Sequence, residues 1–170
     1  MVNAVTNTSS YTNNDGVSGP FVITLTIEED GKEYVFYIPR FLSLETSKNL
    51  DNFFNMYSPS AMSEEYMDAL YEDTPCLYVK QDTALELYHL TGKRFYKDFL
   101  KKSKNSIIKR YFDRGQEKEI IDFLQFGFFA SSSLDKFRKI ADEREMSILS
   151  AYILEEQKKK APKTTTKFTI

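Results

Sequence analysis

The sequence predicts an α+β fold: a small N-terminal antiparallel β-hairpin or three-stranded sheet followed by a bundle of short α-helices. Three observations predict it. Residues 20–40, "PFVITLTIEEDGKEYVFYIPR", alternate two sets of side chains on either side of Asp30-Gly31. From residue 43 onward that period of two gives way to apolar residues three and four apart. The chain has 170 residues, 41% hydrophobic and 15% aromatic, enough for a core that hides roughly 70% of the unfolded chain's surface.

Residues 1–19 are Asn, Thr, Ser and Gly in large part, and read as a flexible tail. They carry no basic segment followed by an apolar one, so they do not read as a secretory signal. In the hairpin, Phe21, Ile23, Leu25 and Ile27 alternate with Val22, Thr24 and Thr26. Tyr34, Phe36 and Ile38 alternate with Val35 and Tyr37. Asp30 and Gly31 tolerate the positive φ of a tight turn, and Pro39 ends the second strand because it has no N–H to donate.

Residues 43–57 read as a helix capped by Ser43, with Leu50, Phe53, Phe54 and Tyr57 on one side. Pro59 stops it. Residues 60–71 form a second short helix with Met62, Tyr66, Met67 and Leu70 inward, closed by Pro75. Residues 76–79, "CLYV", are the candidate third strand. Asp82 or Thr83 then caps a helix through "TALELYHLTG", and Gly92 supplies its left-handed end. Two short amphipathic segments follow, 94–103 with Phe95, Phe99 and Leu100 inward and 104–113 with Ile107, Ile108, Tyr111 and Phe112. After Gly115 come a helix over 117–130, a Ser-rich break at 131–133 and a last helix over 134–158. That last helix turns Phe137, Ile140, Ala141, Ile148, Leu149, Tyr152 and Ile153 inward. The expected organisation is a single α+β domain over 20–158, with a β-hairpin plus helices over 20–80, a helical part over 81–158, and a flexible tail over 159–170.

Charge is unevenly spread. Residues 1–92 carry 4 basic and 14 acidic side chains, a balance of −10, whereas residues 93–118 carry 10 and 3, a balance of +7. The chain is thus neither a uniform polyanion nor a uniformly basic binder. An acidic part and a basic part can attract a charged partner or another copy, and solvated helix faces are the plainer reading. The basic run, with Lys93, Arg94, Lys97, Lys101, Lys102, Lys109 and Arg110, is interleaved with aromatics and is the candidate nucleic-acid surface. The helical spacing of those aromatics favours a core role for them.

Chemistry is sparse. One Cys and one His exist, so zinc ligation by Cys and His pairs has no basis, and no phosphate-cradling glycine loop occurs. Cys76 reads as a small buried hydrophobe, and His89 as a helix-surface or core-edge residue. No cofactor, metal or enzymatic activity is expected. No stretch reaches the ~18 apolar residues of a membrane span, and a reducing, cytoplasmic setting fits one cysteine.

The densest apolar stretch is "EIIDFLQFGFFASSS". As a helix it carries Ile120, Phe123, Leu124, Gly127 and Phe128 on one stripe, with Ile121, Phe126 and Phe129 largely off it. A helix apolar all round must be covered all round. Either it is central in its own fold, the favoured reading, or it shares a face with a partner. In the second case Phe123, Phe126, Phe128 and Phe129 are the candidate partner-binding residues. Gly127 would admit a close neighbouring backbone in either case.

The order of features over 76–155 resembles the tail assembly chaperones of long-tailed bacteriophages. A helix ends in Leu-Thr-Gly-Lys at 90–93. An amphipathic segment and a linker follow, then the compact apolar helix with a glycine near its end, a small-residue break and a last helix. The 75 residues upstream exceed the compact members of that family, and Gln125 and Phe128 stand where the pattern often has other bulky residues. The resemblance implies a non-enzymatic, client-binding homo-oligomer of the infected host's cytoplasm, absent from the mature virion. It implies two partners, the tape measure protein and the tail tube protein. A nucleic-acid-binding module, or a connector or minor tail protein of the virion, are the alternatives.

Overall fold

The computed structural model describes residues 2–5, 19–43, 45–46, 49–50, 58–61 and 64–160. Its order is β1 (Val2–Val5), β2 (Val22–Glu29), β3 (Lys32–Pro39), a 3-10 turn (Pro59–Ala61), then α1 (Glu64–Glu72) and α2 (Leu77–Thr91). There follow α3 (Arg94–Asp113), α4 (Glu117–Leu124), α5 (Ser131–Glu143) and α6 (Ser147–Lys160). The α+β class is as the sequence predicts. The chain divides into two compact units, Met1–Ser103 and Lys104–Ile170. The boundary falls inside α3, which is one continuous helix where two segments were expected. The polar stretch "KKSKNS" at 101–106 reads as a gap, yet each of its residues tolerates a helix interior.

The first unit is built on the hairpin. Glu29 pairs with Lys32 across a two-residue turn, and Asp30 and Gly31 sit at φ 52° and 73°. Two positive φ values match the right-handed twist of the flanking strands. The third strand is not 76–79. It is β1, antiparallel to β2 from Val2 opposite Ile27 to Val5 opposite Thr24, within what was expected to be a tail. Alternation sorts the two hairpin strands cleanly. Leu25, Ile27, Tyr34, Phe36 and Ile38 share one face and pack with Tyr66, Met67 and Leu70 of α1 and with Leu42 and Leu50. Ser43 Oγ accepts the Thr46 amide at 3.2 Å, the predicted cap. The rest of the expected 43–57 helix lies largely outside the described residues, as does Met62.

α2 begins at Leu77, about a turn and a half before the predicted caps. Its first flanking residue, Cys76, is exposed at φ 64°, ψ 126°, correcting the expectation of a buried thiol. Asp82 and Thr83, predicted as caps, lie inside the helix instead. Gln81, Asp82, Thr83, Ala84 and Leu85 are buried in succession, and α2 packs against β2, β3 and α1. Five consecutive buried residues cover every side of a helix, so α2 is the central helix of this unit. Gly92 ends it at φ 65°, its N–H reaching Tyr88 O at 2.8 Å, as predicted.

A positive φ with ψ near 126° is costly for any residue with a Cβ. Replacing Cys76 with Gly is therefore expected to stabilise the chain by about 1 kcal/mol. A rise in the urea midpoint at unchanged slope checks this.

In the second unit the predicted last helix is two. α5 stops at Glu143 and α6 starts at Ser147, with Glu145 at φ 58° between them. The 131–133 serines are the first turn of α5, not a break. The α5–α6 turn resets the helical phase. Met146, Leu149 and Ile153 point inward, while Ile148, predicted inward, is 67% exposed. Glu117, at the start of α4, accepts the Leu149 amide at 2.7 Å and so ties α4 to the first turn of α6.

Candidate functional site

The aromatic run resolves into a hook. α4 ends at Leu124, and the Gly127 amide returns to Leu124 O at 3.0 Å. Gly127 sits at φ 69° with open space where a Cβ would be, so it is needed for the reversal and not for a close backbone. Phe126 meets Phe123 one turn on, with ring centroids 5.9 Å apart, and the reversal lays Phe128 and Phe129 back over the same ring at 5.8 and 6.0 Å. Phe126 and Phe128 stack at 5.5 Å, and Phe129 meets Phe137 edge-on at 5.0 Å. Lys104 fastens the hook: its Nζ donates to Phe128 O at 2.6 Å and lies 5.3 Å from the centroid of the Phe129 ring. Phe123, Phe128 and Phe129 are buried and Phe126 is half-buried. Three of the four partner-binding candidates therefore lie inside the second unit, and Phe126 keeps part of its ring at the surface. The helix that had seemed apolar all round is eight residues long, with its aromatic tail folded onto itself.

The basic candidates do not form one surface. Arg110 is buried, 7% exposed. Lys93 is partly buried and donates to Asp68 at 3.2 Å, where the Tyr96 hydroxyl also donates at 2.7 Å. Arg94 pairs with Asp98 one turn on, at 3.4 Å. Lys109 pairs with Asp113 at 2.7 Å, and its hydrogen bond, with Arg144 adding, holds the Asp113 carboxyl below its ordinary range. Lys97, Lys101 and Lys102 remain exposed, without an ion pair among the described residues.

The aromatics between the bases face inward only in part. Tyr96, Leu100, Ile107, Ile108, Tyr111 and Phe112 are buried. Phe95, predicted inward, is 41% exposed and touches the core through edge contacts with Tyr96 at 5.2 Å and Tyr71 at 5.8 Å. Tyr71 is fully buried among Phe95, Tyr96 and Phe99, and that burial, with the Glu72 charge, pushes its phenol far above its ordinary range. His89 lies exposed on α2. Among the described residues no three His, Cys, Asp or Glu side chains group as metal ligands, and no helix is long and apolar enough to cross a membrane.

Apolar surface open to a partner lies at the start of α2, where Leu77 and Tyr78 are exposed, and on α6. On α6, Ile148, Ala151 and Leu154 follow at three-residue spacing and are all exposed, Ile148 most of all. Such spacing makes a stripe along one face, and Glu155 and Lys158 border it. Sequence reasoning missed this stripe because no Gly or Pro marks the Arg144–Met146 break that turns Ile148 outward. No protein-family model, curated protein or solved structure matches the chain.

Proposed function

We propose that this chain is a non-enzymatic assembly factor, a tail assembly chaperone of the long-tailed bacteriophage type. In this reading it binds the tape measure protein and recruits tail tube subunits in the infected cell, and leaves before the particle is complete. The α6 stripe is the observation that carries it. Ile148, Ala151 and Leu154 present an apolar ridge over the first half of α6, with a charged border. That is the shape of surface on which an amphipathic helical client lays its own apolar face. The family resemblance supports the same reading. Leu90-Thr91-Gly92-Lys93 closes α2 and the apolar helix carries its glycine just past its end, whereas the small-residue stretch is the first turn of α5 and the final helix of the pattern is two, α5 and α6.

The test is co-purification with the long helical protein encoded beside this gene. The wild-type chain is expected to retain it. Ile148→Glu with Leu154→Glu is expected to release it, while the melting temperature stays close to wild type because both sites are exposed. Retention by the double variant, or no retention by the wild type, overturns the reading.

A further inference from the structure

The tip of the hairpin breaks a rule of sheet pairing. Glu28 and Glu33 stand directly opposite each other in the β2–β3 register, and both are exposed. Like charges facing across strands destabilise a hairpin. Glu29 and Asp30 add to them, and Lys32, opposite Glu29, is the one base between Glu28 and Glu33. The tip thus concentrates negative charge, a balance of −3, on a narrow two-residue turn. Among the described residues no basic side chain pairs with Glu28 or Glu33.

The same unit carries the opposite feature on another element. Lys97, Lys101 and Lys102 stand on the solvent side of α3, with Lys97 and Lys101 one turn apart. Asp98, between them, is engaged by Arg94 at 3.4 Å. The Lys97 ammonium lies 6.0 Å from the centroid of the Tyr88 ring, at the outer reach of a cation–π contact, and the residue stays exposed. An unpaired acidic tip and an unpaired lysine face on one unit are complementary between two molecules.

We propose that the β2–β3 tip of one chain docks on the α3 lysine face of a second copy. The contact joins different surfaces on the two copies, so it is head-to-tail and extends into a ring or a short filament. Glu28 and Glu33 then face Lys97 and Lys101 instead of only each other. The contact is electrostatic and weakens with salt. It is independent of the tail-chaperone reading, because it uses neither α6 nor a client.

Sedimentation velocity of the full chain at low and high salt tests it. Concentration-dependent association at low salt, lost at high salt, is expected. Glu33→Lys is the discriminating variant. It places opposite charges across the strands and is expected to raise the melting temperature while weakening association about tenfold. A variant with Glu28→Lys and Glu33→Lys, and one with Lys97→Glu and Lys101→Glu, should each be monomeric alone. Mixing the two should restore complexes, since each then offers the charge the other lacks. A monomer at every salt concentration, association unchanged in both double variants, or no complex in the mixture overturns the proposal. So does a Lys97→Glu, Lys101→Glu chain that loses binding to duplex DNA while still self-associating.

Discussion

Phe123→Ala is expected to unfold the second unit. Phe123 is 1% exposed and is the ring on which Phe126, Phe128, Phe129 and Tyr111 converge, the last at 6.2 Å. Removing it deletes the large apolar side chain at the centre of the hook and leaves a cavity that its neighbours cannot fill without undoing the Gly127 reversal. Truncating a buried Phe costs about 3–5 kcal/mol, a large fraction of a domain's marginal stability. Hydrogen exchange should show residues 104–160 losing protection while the β2–β3 hairpin keeps it. Phe126→Ala, at a half-buried site, is expected to cost clearly less. Equal, small effects of both would mean that the hook is not the core of the unit.

Glu86 is the second sensitive point, and its effect depends on pH. Its Oε2 accepts the Phe21 amide at 2.7 Å, and the Val22 amide also donates to the carboxylate. Phe21 and Val22 are themselves buried, 1% and 0% exposed. Glu86 thus fastens α2 to the entry of β2. Oε1 is buried without a hydrogen-bond partner among the described residues. Burial raises the carboxyl's pKa, and the two amides only partly offset it. Glu86→Ala leaves buried amides unpaired and is expected to cost about 1–3 kcal/mol.

Glu86→Gln keeps an acceptor without the charge. The folded chain holds the Glu86 proton to a higher pH than the unfolded chain does. The stabilisation from protonation is therefore complete below the unfolded value and is lost as pH rises through the folded one. The stability of Glu86→Gln relative to wild type should accordingly rise from acid to neutral pH. Asp73 and Asp113, whose pKa values are lowered, act equally in both proteins and cancel in the difference. Matched urea titrations across pH check it. A flat difference would show that Glu86 is not held in a desolvated site.

The local rules carried far in this sequence where the residues had no competitor. Asp30-Gly31 and period-two alternation located the hairpin and its turn. Ser43 and Gly92 were legible as caps because a hydroxyl acceptor and a left-handed residue each do one job. Misreadings came where tertiary context overrode composition. Asp82 and Thr83 read as caps because they are polar, yet they lie with Gln81, Ala84 and Leu85 in a buried middle stretch of α2. The stretch 120–129 looked like a helix buried on all sides because its aromatics are continuous, yet Gly127 folds half of them back. A run of apolar residues records how much surface must be covered, not whether a helix or a turn covers it.

The candidate site was less legible for the same reason. Ile148 belongs by spacing to a continuous apolar face with Ile140 and Ala141. Only the Glu145 turn moves it outward. Lys104 read as one more base in a basic run, and its work is to hold Phe128 O and cover Phe129. Lys97, Lys101 and Lys102 are exposed like Arg94 and Lys109 but make no ion pair among the described residues, Asp98 beside them being engaged by Arg94.

Hydrogen exchange with and without the helical client tests the central claim most directly. The account predicts new protection over α6, Ser147–Lys160, with no change over 120–129, where Ile120, Phe123, Leu124, Phe128 and Phe129 are already buried. Protection arising in 120–129 instead, with α6 unchanged, would contradict it and return Phe126 and its neighbours to the role of a partner surface.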